Sequence, residues 1–497
     1  KEGPNYVFVH DQIQQAAYSL VPENERGSLH RQVGHLMLKS LTENQDDGLF
    51  FTAVSQLNQG EKKLENDDER LYLQKLNLRA GEKAMSLAAF SIAASYLKAG
   101  IDMFLDNHWD QYYDFSIELY SLYAEAEYSI CRFEEVGRVA EMVLKVAKSI
   151  QDKERVYATL VKSLGVENRL EDAIDTGFSY LSQLDVHCTS PPPDKSIVMN
   201  TLIDIKRTLE KMSHIEFLSH KVMKDTDKIA AMKFLHLLLL YTFFSKQNYF
   251  PTIIIQSLQL TLHHGICKES CVALASCSYF LCEFQDFKGS EHLGLLSMGA
   301  LEKLKAQEYI SQVYLLNYGG ILCWTRNFKL NLEPLMLGYK MGMQTGDIQH
   351  AMFNATTYIK IGFLSGLNLR ELERNIEKFG KEMIEYKQTA VYRYMLPIKR
   401  TVSDLILSTD DPLEIARNNW EQNNFLKLAL EENSLVVLCD IYILGGIVAY
   451  IYGKYDLAVG FVQKRHELEK KMWRTTFLFG VTAFYDGLIF LAFAHKS

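Results

Sequence analysis

The stretch Ser129–Ala147, SICRFEEVGRVAEMVLKVA, decides how the rest of the chain is read. A small polar break is followed by a bulky apolar residue, Phe133, and a fresh amphipathic helix begins. The same grammar returns in VENRLEDAIDTGFSYL, SKQNYFPTIIIQSL, CWTRNFKLNLEPLMLGYKMG, LSGLNLRELERNIEKFG and YGKYDLAVGFVQK, with Leu170, Tyr249, Phe328, Leu369 and Tyr455 in the bulky place. Phe90, Phe287 and Leu413 stand in weaker copies. Together these residues form a ladder with steps of 43, 37, 79, 38, 41, 41, 44 and 42. The step of 79 is close to a double one and places a degenerate copy near Met212. A period near forty exceeds the length of about 34 of a tetratricopeptide unit and suits two longer antiparallel helices per repeat.

The predicted fold is therefore all-α: a tetratricopeptide-like α-solenoid of antiparallel helix pairs. Neither helix of a pair can bury its apolar face alone, so neighbours stack and share one core. Small residues seven apart, Ala93 with Gly100 and Ala140 with Ala147, suit close helix approach, and Tyr120, Tyr123 and Tyr128 fill wider gaps. NYVFVHD alternates enough to allow a short strand at residues 6–9. The expected positions of the ladder residues are at or just after an inter-helix turn, packed inward. The run Pro191-Pro192-Pro193 cannot be helical beyond its first position, so residues 186–196 read as an extended linker between sub-arrays 61–185 and 197–497, with 1–60 a separate leading segment.

Composition bounds the function. The 497 residues are 48% hydrophobic and 23% charged, with 9 prolines and a formal charge of -8. This is a folded, helix-compatible chain without the basic footprint of a nucleic-acid binder. Its 8 cysteines lack framework spacing and fit reduced thiols in a cytoplasmic protein. The opening residues from Lys1 lack the apolar segment of a signal peptide, and the chain reads as a piece of a longer polypeptide. Residues 435–452 and 475–494 are almost wholly apolar, but each carries an aspartate, Asp440 or Asp486, which is costly in mid-bilayer. Both are expected to be buried helices of the array.

The sequence carries few signatures of chemistry. There is no G-x-x-x-x-G-K-[ST], no HRD with DFG, no G-x-S-x-G and no H-E-x-x-H. His263, Cys267 and Cys271 lie four apart and would share a face on one helix, a soft-ligand arrangement that suits zinc. Gly265 between them is expected to end a helix, and the apolar surroundings favour buried structural thiols. No metal and no cofactor is expected in this chain.

YVFVHDQIQQAAYSLVPENERGSLHRQVGHLML at the N-terminus resembles the region that follows the ATPase module in large STAND-class signalling proteins, signal-transduction ATPases with numerous domains. Phe8, His10-Asp11, Gln14 through Tyr18, Pro22, His30 and Gly34 through Leu38 carry the likeness, and Gln56-Leu57-Asn58, Glu69-Arg70, Leu76-Asn77 and Ala80-Gly81 extend it. It covers roughly the first 180 residues. The resemblance implies a tetratricopeptide-like region within a serine/threonine kinase–ATPase–GAF–histidine kinase architecture, with the ATPase upstream in cis. It also implies that residues 1–60 are the remnant of a winged-helix-like segment, in which His10 reports nucleotide state. On the residues alone, Asp11 is a helix cap and His10 a turn residue.

The function expected is a non-catalytic regulatory scaffold that binds a protein or peptide on its concave, weakly charged face, with no nucleic acid and no membrane. Two alternatives stand beside it: an enzyme with an unrecognised site in the array, and a membrane-attached helical protein.

Overall fold

A computed structural model describes residues 11–41, 47–60, 66–189, 191–406, 424–432, 434–472, 474 and 476–496. They form two compact units, Lys1–Ala147 and Lys148–Ser497. The first contains α1 (Asp11–Ser19), α2 (Glu23–Ser40), α3 (Asp47–Gln59), α4 (Asp67–Ser86), α5 (Phe90–Asp102), the single turn α6 (His108–Gln111), α7 (Tyr113–Ser129) and α8 (Phe133–Val146). Its hairpins are α2/α3, α4/α5 and α7/α8.

The second unit opens with the hairpin α9 (Ile150–Val166)/α10 (Leu170–Gln183). It continues through α11 (Lys195–Glu210) and α12 (His214–Leu218) to the hairpins α13 (Thr226–Phe244)/α14 (Phe250–His264) and α15 (Ser270–Leu281)/α16 (Phe287–Lys303). Then α17 (Ile310–Leu316), a π-helical turn at Asn317–Ile321 and α18 (Leu322–Thr325) form one interrupted helix that pairs with α19 (Leu332–Thr345). Next come α20 (Ile348–Leu364)/α21 (Leu369–Glu385), α22 (Thr389–Ile406), α23 (Asn424–Glu431), the pair α24 (Leu435–Ile451)/α25 (Tyr455–Glu469) and α26 (Leu478–Lys496). Among the described residues the sole β pairing is an isolated parallel bridge, Val222 with Ile266. Residues 6–9 and Leu413 lie outside them.

One turn is used over and over. The residue after the helix end is left-handed (Ala88, Cys131, Asn168, Gln285, Lys305, Gly366, Lys387, Gly453). The next residue sends its N–H back to the carbonyl five positions earlier: Ala89 to Ala84, Arg132 to Glu127, Arg169 to Leu164, Asp286 to Leu281, Lys454 to Ala449. This is the Schellman closure, which satisfies carbonyls the helix end leaves unpaired. That second residue is also the cap of the following helix, with near-constant geometry: ψ is 60° at Ala89 and Arg169, 66° at Arg132, 64° at Asp286 and 61° at Lys454.

The ladder residues sit where this turn ends. Phe90, Phe133, Leu170, Phe287, Leu369 and Tyr455 are each the first residue of a second helix. Tyr249 closes a 3₁₀ turn that leads into α14, and Phe328 opens one that leads into α19. They are half-buried and not fully inward, because they cover the end of the preceding helix and not its side. Phe133 lies 6.3 Å from Tyr128 and Tyr455 lies 5.9 Å from Tyr450, both across the turn. The copy expected near Met212 does not form a hairpin. Ser213 and Glu216 make a capping box that starts the five-residue helix α12, and the chain then pairs Met223 N–H with the carbonyl of Ile266 at 2.9 Å.

Residues 186–196 lie inside the second unit. The prolines are non-helical, and the segment is pinned to α14 by Gln256, whose Nε2 donates to the carbonyl of His187 at 2.8 Å.

The two apolar stretches fare differently. α24 is buried on all sides, between α22, α23, α25 and α26. α26 touches α25 and α24 alone among the described helices with more than marginal contact. It leaves Phe484 64% and Leu491 71% exposed, so the expectation of a buried helix fails there. Residues 478–495 are long and apolar enough to cross a membrane. Their Asp486 is paired within the protein, accepting from Arg465 Nη1 at 3.0 Å.

Candidate functional site

The second unit curls back on itself. Its first helices touch in sequence, α13 with α15, α15 with α17, α17 with α20 and α20 with α22. Meanwhile α9 touches both α13 and α22. The inner face of the array thus becomes a cleft of about 760 Å³. Phe243, Phe244, Tyr279, Leu316, Phe353 and Tyr394 supply its apolar wall, with Ser276, Gln312, His350, Thr357 and Lys360 as polar insertions. Such a mixture, mostly apolar with a few placed polar groups, is what small-molecule sites look like. Leu240, Phe244 and Phe353 divide it from a second cavity of about 600 Å³, on which Asn168, Arg393 and Glu432 lie.

α20 carries the chemistry. His350, Phe353, Thr357 and Lys360 follow the i, i+3, i+7, i+10 spacing that places side chains on one helix stripe, and all four line the cleft. Lys360 is 2% exposed and forms an ion pair with Asp440 of α24, itself 3% exposed. Its Nζ also lies 3.2 Å from the ring centroid of Tyr394. Burial pushes the Lys360 ammonium down and the Asp440 carboxyl up, and each partner's charge opposes the shift.

At the other end of the stripe, His350 Nδ1 faces Asp347 Oδ1 at 2.8 Å and Oδ2 at 3.0 Å. Burial raises the Asp347 carboxyl, but the charge and hydrogen bond of His350 outweigh it and hold Asp347 below its usual value. His350 Nε2 is buried without a hydrogen-bond partner among the described residues. No hydroxyl or thiol among the described residues hydrogen-bonds to it. His236 on α13 stands nearby in the network, its Nε2 against Gln312 Oε1 and its ring 4.8 Å from Tyr309. Burial first, and then the charge of His350, lower its pKa to about 4.

The π-helical turn forms part of the wall. Gly319 lines the cleft, and a Cβ on Gly320 would meet the Tyr279 ring at 2.4 Å, so glycine there lets the ring lie on the backbone. Single π turns of this kind are frequent at functional sites.

In the first unit the inward groups are fewer. Glu127 is 1% exposed, with Arg132 Nη1 3.6 Å away and Oε2 unpartnered among the described residues. Burial pushes this carboxyl up. A shallow cavity of about 270 Å³ lies beside Phe104 and His108, which stack at 4.2 Å.

The residues singled out from sequence lie elsewhere. His10 is outside the described residues, and Asp11 is the first residue of α1. Gly265, at φ 111°, ends α14 and separates His263 from Cys267 and Cys271. His263 is exposed and its Nδ1 contacts the carbonyl of Gln259 at 2.8 Å. Cys271 Sγ donates to the carbonyl of Lys268 at 2.8 Å. Burial pushes the Cys267 thiol up to about 12 and Cys271 well above its usual value. The three therefore do not form one helix face, and no metal-competent cluster exists among the described residues. Sequence reading passed over Lys360 and His350. The signal available was a lone lysine inside TTYIKIGFL and a lone aspartate inside VVLCDIYIL, two buried charges that require one another.

No family model matches the sequence. It is 22% identical over 445 residues to "Hybrid signal transduction histidine kinase G" of Dictyostelium discoideum, an alignment covering 80% of this chain and 13% of that protein. The chain thus spans about one eighth of that relative's length. Among solved structures, a "Circular tandem repeat protein with novel repeat topology and enhanced subunit contact surfaces" aligns over 93% of this chain and 98% of its own, at 12% identity. Its TM-score is 0.14, too low to support any conclusion.

Proposed function

We propose that this chain is a regulatory interaction scaffold of a larger cytoplasmic signalling protein, one that binds a protein or peptide partner on its repeat surface and performs no catalysis itself. The observation that carries the reading is the tandem array of hairpins built on one turn, combined with the likeness to a signal-transduction histidine kinase. Repeat arrays of this kind present extended surfaces whose natural use is recognition. The resemblance of the N-terminal region to STAND-class proteins supports an ATPase module upstream in cis, with His10 as a reporter of its nucleotide state.

The test uses the full-length polypeptide. Removing residues 61–497 changes the output of the linked module, read as autophosphorylation or nucleotide hydrolysis, by about fivefold or more, the range of a typical coupling energy. Equal output with and without the array contradicts the reading.

The exposed apolar face of α26 favours a second reading, contact with a membrane surface. Flotation of the purified chain with phosphatidylcholine vesicles, lost on Phe484→Ser/Leu491→Ser, supports it. Absence from the vesicle fraction removes it.

A further inference from the structure

We propose that the cleft ringed by α13, α15, α17, α20 and α22 binds an elongated apolar small molecule with a polar group at each end: a hydroxyl held by His350 and an acceptor, carboxylate or carbonyl, held by Lys360.

The stripe on α20 sets the length. His350 and Lys360 are ten residues apart, which at 1.5 Å per residue is about 15 Å along the helix axis. Between them lie Phe353 and Thr357, and opposite stand Phe243, Phe244 and Tyr279. A ligand that fits is therefore apolar in the middle and polar at the ends.

The two ends ask for different partners. The Asp347 carboxylate can only accept, so His350 Nδ1 carries the proton. The other ring nitrogen, Nε2, is a buried atom with no hydrogen-bond partner among the described residues, and a hydroxyl, which can both donate and accept, matches it whether the ring is neutral or charged. Leaving such an atom unpaired is costly, and a ligand hydroxyl satisfies it. At the far end, the Lys360 ammonium has three N–H donors. Asp440 and the Tyr394 ring take two, which leaves one for an acceptor. The charge of Lys360 is already matched by Asp440, so the cleft does not demand a strongly charged body. The lining, mostly apolar with a few polar groups set at its ends, is of the kind that holds small molecules. The inference stands on the cleft alone and survives if the scaffold reading fails.

The experiment is calorimetric titration of the full chain with 12-hydroxydodecanoic acid and with dodecanoic acid, which lacks the hydroxyl. The expected result is one site, with the hydroxy acid binding about tenfold tighter, the value of one well-made buried hydrogen bond. In His350→Phe the two acids become equal. Thr357→Trp fills the middle of the cleft and abolishes uptake of both. If His350→Phe does not fold, the ratio in the wild-type protein and the Thr357→Trp result still decide. Equal affinity of the two acids for the wild-type protein, uptake unaffected by Thr357→Trp, or no uptake of either acid by the folded chain overturns the proposal. So does displacement of bound acid by an amphipathic helical peptide, which would make the cleft a peptide groove.

Discussion

The two units share a turn and differ in what their first helices carry. In the first, inward polarity includes Gln74, which donates to the carbonyl of Gly100, Asn77, which pairs with Asn58, and Glu127, whose Oε1 faces Arg132. In the second, Lys360, His350, Asn354 and Gln312 are buried on helices that close into a ring, and Asp440 of α24 meets Lys360 there. The hairpin turn is thus neutral toward function. What distinguishes the units is the inner face of the first helices, where side chains far apart in sequence meet.

The strongest way to break this contrast is to remove one member of the buried pair. Lys360→Met strands Asp440 in an apolar interior and is expected to cost about 3–5 kcal/mol. The double variant Lys360→Met/Asp440→Leu recovers most of that loss. In the first unit Glu127→Gln costs less than about 1 kcal/mol. Burial already favours the neutral carboxyl there, and Arg132 is 67% exposed, which weakens the pair. Urea unfolding of the full chain checks all three. A Lys360→Met effect as small as that of Glu127→Gln would erase the distinction between the units.

A pH series probes the same interior. His236 titrates at about 4 when folded, against 6.5 for the ordinary side chain. The native state therefore binds fewer protons than the unfolded state in this window. The associated stability is complete above pH 6.5 and is lost as pH falls toward 4. Between pH 7 and pH 5 the wild-type protein loses about 2 kcal/mol more than His236→Leu. Parallel pH profiles for the two proteins would show that His236 is not held neutral by burial.

The shared turn gives a smaller and symmetrical effect. A left-handed residue other than glycine costs about 1–2 kcal/mol. Ala88→Gly in the first unit and Gln285→Gly in the second are each expected to stabilise by about 1 kcal/mol. Unequal gains in midpoint denaturant concentration would mean that the two turns are not equivalent.

These turn residues also explain what was legible in the sequence and what was not. Many helix starts were legible because a bulky residue opens the second helix, as at Phe90, Phe133 and Tyr455. The stops were not, since Ala88, Cys131, Gln285, Lys305 and Lys387 occupy places where glycine would have announced the left-handed turn. The irregular passage through α11 and α12 was hidden because a two-step gap in a ladder does not say what fills it. The cleft was invisible for a different reason. Lys360 and Asp440 are 80 positions apart, and periodicity reports a face, not the partner across it. The helix α24 was legible as buried because it is apolar all round. Its likeness in composition to α26 concealed that α26 has fewer neighbours.

Hydrogen exchange along the full chain tests most directly the claim that the second unit is organised around its first helices. Amides in α13, α15, α20 and α24, buried nearly all round, should exchange slowest. Those of α5, α8, α10 and α21, with one face in water, should exchange faster, since local opening follows buried contact. Slowest exchange in α10 and α21, or uniform protection across both helices of every hairpin, would contradict the account.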